Sequence, residues 1–281
     1  MFNLIKMDTH RLVHSTSTWI TLLFTVVLAV FSVVMTNVDI QMAKEDPSSL
    51  AVEPTEEIQL GIYVDANPEW VTGNIEIGDI ISTEMKSGVL AIIVVVFAAI
   101  FSNAEQKNGY IKNIAGLFPK RGKIVLSKAI TIAVYVLIML ALFMAVMVIT
   151  GYVLWGDGFY MGSVPDFLKF FGMQYALHLG ISMVIMLLCM LTRSSAFSMT
   201  AGILITAGLL APVYSIVNKL VNDAHPGWEF DLNRYTLDGC ISMTQAGADA
   251  ETLLRAVIVG VAFITASLLL SMVIMKKRDI R

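Results

Sequence analysis

Charge is scarce in this sequence. Of 281 residues, 15% are Asp, Glu, Lys or Arg, while 57% are hydrophobic and the mean hydropathy is +0.75. Soluble domains carry about 25% charge, so this balance excludes an ordinary soluble chain. Cysteine is nearly absent: Cys189 falls in the fourth apolar run and Cys240 in an outer loop, so the two cannot readily meet and no structural disulfide is expected. Catalytic signatures are missing too. There is no HExxH, no GxSxG and no pair of aspartates within an apolar run, so no hydrolytic machinery is expected and the chain reads as a non-enzyme. Residues Gly116 to Lys123, GLFPKRGK, superficially resemble a phosphate-binding loop. Their spacing is one residue too long, Ile124 replaces the magnesium-binding hydroxyl, and no strand precedes them. The chain therefore carries no ATP site of that kind, and no cofactor or metal of its own is expected. Long repeats and low-complexity tracts are also lacking, so twelve spans would require two chains.

What is present is a series of apolar runs near the length of about 20 residues that a helix needs to cross a bilayer, without strand-like alternation. The expected fold is an all-α membrane protein with six transmembrane helices at about 18–37, 85–104, 125–150, 173–192, 196–220 and 253–275. The first run lacks a cleavage site and reads as a retained span. With the N-terminus cytoplasmic, thirteen of the 19 Lys and Arg lie on that side and six on the other, which predicts both termini inside. Residues 1–17 place Phe2, Ile5, Leu12 and Val13 at helical spacing, as an interfacial amphipathic helix on the inner leaflet would. An acidic outer loop follows at 38–84, ending in an amphipathic stretch with Ile77, Ile80, Ile81 and Met85 on one face. The last outer loop, 221–252, fits either a helix dipping into the outer leaflet or a surface connection.

Small residues mark close helix packing: Ser198, Gly202 and Thr206 recur every fourth position, as do Ala256 and Gly260. Pro212 predicts a kink in the fifth span, a gate or a tolerated bend. His178 is the clearest ionisable residue within a run and has no carboxylate or second ligand on its helix face.

The connection after the second run is the most informative segment. Within 105–119, Tyr110, Ile111, Ile114, Leu117 and Phe118 form one helical face, Glu105, Lys107 and Lys112 lie mainly on the others, and Pro119 supplies a stop. Composition alone fits a helix floating on anionic lipid as well as one that docks into another protein.

The pattern Glu105-x3-Gly109-x2-Lys112, continuing through Phe118-Pro119-x-Arg121 to Ser127-Lys128, resembles the cytoplasmic signature of type-2 ATP-binding-cassette (ABC) permeases. The resemblance extends to the six-span layout, the N-terminal helix and the basic C-terminus MKKRDIR. It implies a permease subunit of an exporter in a cell membrane, the cytoplasmic membrane of a bacterium. It further implies two separate cytosolic ATPase subunits, which bind ATP and magnesium, and a second permease, identical or related. The coupling residues it implies are Glu105, Lys107, Gly109, Tyr110, Lys112, Ile114, Phe118, Pro119 and Arg121, with translocation near spans two and five. An amphipathic or hydrophobic cargo is expected, a peptide, antibiotic or lipid, and no nucleic acid. Two other readings compete: a membrane sensor or immunity protein using the acidic outer loop, and a membrane-embedded enzyme using His178.

Overall fold

The structure, a computed structural model, describes residues 1–45, 68–107, 109, 121–225 and 227–277. Helix α1 (Phe2–His14) leads through the extended Ser15 into α2 (Thr16–Glu45). A two-residue strand β1 (Ile75–Glu76) precedes α3 (Ile77–Lys86) and α4 (Val89–Lys107). The long α5 (Gly122–Trp155) is followed by β2 (Phe159–Tyr160), α6 (Val164–Thr192) and α7 (Ser195–Thr206). Then come α8 (Ala211–Ala224), the short α9 (Leu237–Met243) and α10 (Ala250–Lys277). Among the described residues four helices, α2, α5, α6 and α10, are each long and apolar enough to cross a membrane; counting the bent pairs α3–α4 (57°) and α7–α8 (60°) as one span each gives six. The molecule is an all-α membrane protein. We call the end where α4 finishes and α5 begins the α1 end, and the opposite one the far end.

Side-chain size sorts the faces of α2. Thr18, Thr21, Thr25, Ala29, Val33 and Thr36 turn inward, whereas Trp19, Leu23, Phe24, Val27 and Phe31 stand exposed where lipid would cover them. The inward threonines cost little, because Thr21 and Thr25 donate to carbonyls one turn back. Small inward residues let α2 lie close to α4 and α5, as membrane helices require. Helix α4 is the centre of the bundle, with Val95, Phe97, Ala98 and Ala99 fully buried among α2, α6 and α7. Span two is thus enclosed within its own chain, and α7–α8, with Phe197, Leu204, Val213 and Ile216 exposed, offers the freer surface.

Several expected boundaries move. Helix α2 continues to Glu45, well into the expected first outer loop, and α6 starts at Val164, with Pro165 in its first turn. A hydropathy window sees only lipid-length apolar runs, while polar residues extend a helix at no backbone cost. Conversely α4 starts at Val89 and not 85, because Gly88 (φ +70°) turns the chain out of α3. Residues 46–67 of that first outer loop lie outside the described residues. Helix α3 stands where the amphipathic stretch was read, with Ile77, Ile80, Ile81 and Met85 buried. Helix α1 differs in its packed face: Leu4, Asp8 and Leu12 are buried while Phe2 and Val13 are exposed, since Asp8 has a partner on α5.

The fifth span breaks at 207–210, ahead of Pro212. Gly208 (φ +72°) makes the turn, and Pro212 sits in the first turn of α8, where its missing N–H costs nothing. At the far end, Ile75 and Phe159 pair in a parallel two-residue ladder that fixes the start of α3 against the end of α5.

Candidate functional site

The chain leaves α4 at Lys107, turns at Gly109 (φ +73°), and returns through Arg121, the N-cap residue of α5. Tyr110, Lys112, Ile114, Phe118 and Pro119, and with them the expected coupling helix, lie outside the described residues. What is described is the root from which that segment springs.

Two buried charges face each other across it. The Glu105 carboxylate on α4 accepts from Lys128 Nζ on α5 at 2.9 Å, and its other oxygen accepts from Arg11 on α1 at 2.5 Å. Lys128 Nζ also donates to the Ser102 carbonyl at 2.9 Å. Arg11 reaches the Phe101 carbonyl at 3.4 Å, and its guanidinium lies 4.2 Å from the Phe101 ring centroid. Ser127 donates to Asp8 at 2.6 Å, closing the circuit back to α1. A carboxylate buried like Glu105 is costly alone, and only two cations with good geometry make it tolerable. The pairing therefore holds α1, α4 and α5 in one register. Burial pushes the Asp8 carboxyl above the ordinary aspartate range, against the Ser127 hydrogen bond and the attraction of Arg11 and Lys128; Glu105 pushes it the same way.

Two turns deeper, Tyr135 on α5 stacks on Phe97 of α4 at 3.6 Å, donates to the Thr18 carbonyl at 3.1 Å and shares a hydrogen bond with the Thr21 hydroxyl. The junction of the second and third spans is thus tied to α1 at one level and to α2, the first span, at the next.

The expected packing stripe meets its neighbours within the chain. A Cβ on Gly202 would lie 2.5 Å from both Val95 of α4 and Ile185 of α6, and Ser198 and Thr206 are buried beside it. A Cβ on Gly260 would meet the Ala176 backbone at 3.0 Å. His178 is buried on α6, its Nδ1 2.8 Å from the Gln174 carbonyl; its Nε2 and both amide atoms of Gln174 have no hydrogen-bond partner among the described residues. That pair is polar enough to hold buried water.

Other polar contacts are not marked by any sequence motif. Glu84, on α3 and nearly sealed, accepts from Thr36 of α2 at 3.0 Å. At the far end the Tyr214 hydroxyl of α8 donates to Asp238 of α9 at 3.1 Å, and Asn218 and Asn222 bind the chain around 230–232. Burial pushes the Asp238 carboxyl up, against hydrogen bonds from its own and Gly239 backbone N–H groups, Tyr214 and Thr236. Burial likewise pushes the Cys240 thiol up to about 11.

A family model described as "Protein of unknown function (DUF2705)" matches residues 71–281, which takes in every described helix from α3 to α10. No curated protein matches the chain.

Proposed function

The chain belongs to the DUF2705 family, and we propose that it is the permease subunit of an ABC exporter, driven by ATP hydrolysed on a separate cytosolic ATPase. The observation that carries this reading is the Glu105–Lys128–Arg11 pairing at the root of residues 105–121. A loop helix that merely rests on lipid needs no buried ion pairs beneath it. A loop that is pushed needs both its stalks locked together, and Glu105 and Lys128 sit one on each stalk. Arg11 adds α1 to the same block, so a displacement of the loop moves α1, α4 and α5 as one body. Such an element can be bistable, and a motor that binds its two positions differently supplies the bias.

In this reading the α1 end is cytoplasmic, in keeping with the Lys and Arg distribution, and the far end faces outward in a bacterial cytoplasmic membrane. Tyr110, Ile114 and Phe118 fill an apolar cleft of the ATPase, while Lys107, Lys112 and Arg121 meet its acidic or polar rim. Two ATPases, each with ATP and magnesium, serve a pair of permeases, and the exposed α7–α8 surface is the face for the second permease. The cargo is an amphipathic or hydrophobic molecule.

Purification from native membranes tests this. Wild-type protein should carry a non-membrane ATPase; Phe118→Asp should lower its recruitment and coupled hydrolysis by tenfold or more, on the order of the loss of a buried anchor, and Lys112→Glu should lower both through like-charge repulsion at the rim. If neither changes, the reading is wrong.

A further inference from the structure

The broken fifth span separates two cavities. One, of about 140 Å³, lies between α6, α7, α8 and α10 and is walled by Ile181, Ile205, Leu210 and Phe263. The other, of about 220 Å³, lies on the opposite side of the break and is lined by Lys86, Ser87, Asn233 and Ser242, among others. Three residues line both: Thr206, Tyr214 and Asp238. The partition between the cavities is therefore the Tyr214–Asp238 hydrogen bond with Thr206 beside it.

Each member of the partition belongs to a different piece of chain. Thr206 ends α7, Tyr214 is the buried residue of α8, and Asp238 is in the first turn of α9. Asp238 is the only charged residue among those lining the apolar cavity. A volume near 150 Å³ with Leu, Ile and Phe walls takes an apolar group of about benzene size. A carboxylate at its rim selects a cationic neighbour, because a positive head offsets the desolvation that the carboxylate suffers there.

We propose that the two cavities form one bipartite site for a hydrophobic amine. The apolar group occupies the cavity between α6, α7 and α10, and the ammonium head lies against Asp238 at the partition. Release of the Tyr214–Asp238 hydrogen bond joins the cavities and gives the head a path toward the far end. The inference deepens the exporter reading, on which the role of the site in transport rests, while binding itself requires no ATPase. An amine from a free amphiphile and one from a phospholipid headgroup share this chemistry.

The test uses the full chain in phosphatidylglycerol nanodiscs, without nucleotide or ATPase, photolabelled with a diazirine-bearing decylamine and mapped by mass spectrometry. Label should concentrate on 205–214 and around Phe263, and unlabelled decylamine should displace it about tenfold better than decanol, as a charge-assisted hydrogen bond provides. Asp238→Asn should abolish that preference for the amine. Leu210→Trp, at a half-exposed wall position, should lower labelling by both probes about tenfold, and Tyr214→Phe should keep the preference and show that the site remains folded. Adding phosphatidylethanolamine distinguishes the sources: competition assigns the site to a lipid amine, its absence to a free amphiphile. Label spread over the exposed faces of α2 and α10, or an unchanged preference in a folded Asp238→Asn protein, overturns the proposal. Specific labelling without ATPase recruitment would remove the exporter reading alone, and recruitment without specific labelling would remove the site alone.

Discussion

Glu105 and Lys128 are 23 positions apart in sequence, and their charged groups stand 2.9 Å apart across the two stalks of one loop. Breaking such a pair by neutralising one member strands the other in the interior, at a cost of about 3–5 kcal/mol, whereas removing both is often nearly neutral. Lys128→Met alone should therefore destabilise strongly. Adding Glu105→Gln should recover part of that loss, even though Arg11 is then left with Asp8 at 3.8 Å as its counter-ion. Thermal unfolding in detergent of the two single variants and the double checks this. Strictly additive losses would mean that the two groups do not interact.

The carboxyl of Asp8 gives α1 docking a pH dependence of definite sign. Folding raises its affinity for a proton, mainly by burial, so the folded state holds more protons than the unfolded state between the ordinary aspartate range and the raised value. Its contribution is fully present below the ordinary range and is lost as pH rises through the raised value. Amide protection in α1, taken relative to the intrinsic exchange rate at each pH, should accordingly rise on mild acidification. Asp8→Asn should flatten that response. Arg11, Glu105 and Lys128 are the other charged groups that face Asp8.

Gly88 and Gly208 share a left-handed backbone but differ in surroundings. A Cβ at Gly88 would come 2.4 Å from the Thr206 carbonyl, whereas one at Gly208 has open space. Alanine at Gly208 should cost only the conformational term of about 1–2 kcal/mol. Alanine at Gly88 adds a clash with backbone that cannot rotate away, and it should also part the α3–α4 corner from the break in the fifth span. Melting temperatures should rank wild type, Gly208→Ala and Gly88→Ala in falling order. Equal losses would show that the corner yields.

Much of this architecture is legible from composition and period. Apolar length identifies the crossing runs, the spacing of Ile77, Ile80, Ile81 and Met85 identifies α3, and Gly202 marks a close helix approach because nothing else fits between Val95 and Ile185. What stays hidden is pairing at a distance. Arg11 and Glu105 are separated by 94 positions, and Thr21 and Tyr135 by 114. Neither pair leaves a periodic trace, since one polar residue on an apolar face looks the same with a partner or without. Glu84 is hidden for a related reason: it stands just before the apolar run that defines span two, yet α3 folds it inward against α2. The fifth span is interrupted just ahead of Pro212, as that proline suggests, but the turn itself is made by Gly208, which is less conspicuous in the sequence. Proline is harmless in a first turn, and it is the glycine that permits the reversal.

Both native thiols are buried and free, which makes the chain suited to topology mapping without removing them. Reaction with maleimide requires thiolate, and a thiol pushed up to about 11 holds on the order of a hundredfold less of it at neutral pH than an ordinary cysteine. Cys240 should therefore label slowly in the folded protein and rapidly once unfolded, even though it lies outside the long apolar helices. Against that quiet background, single cysteines at Lys277 and at Asp157, which sit at opposite ends of the bundle, report orientation directly. A membrane-impermeant maleimide applied to intact cells should label the Asp157→Cys protein and spare the Lys277→Cys protein until the membrane is opened. The reverse pattern would place the loop at 105–121 outside the cell, where no ATP-driven partner can reach it.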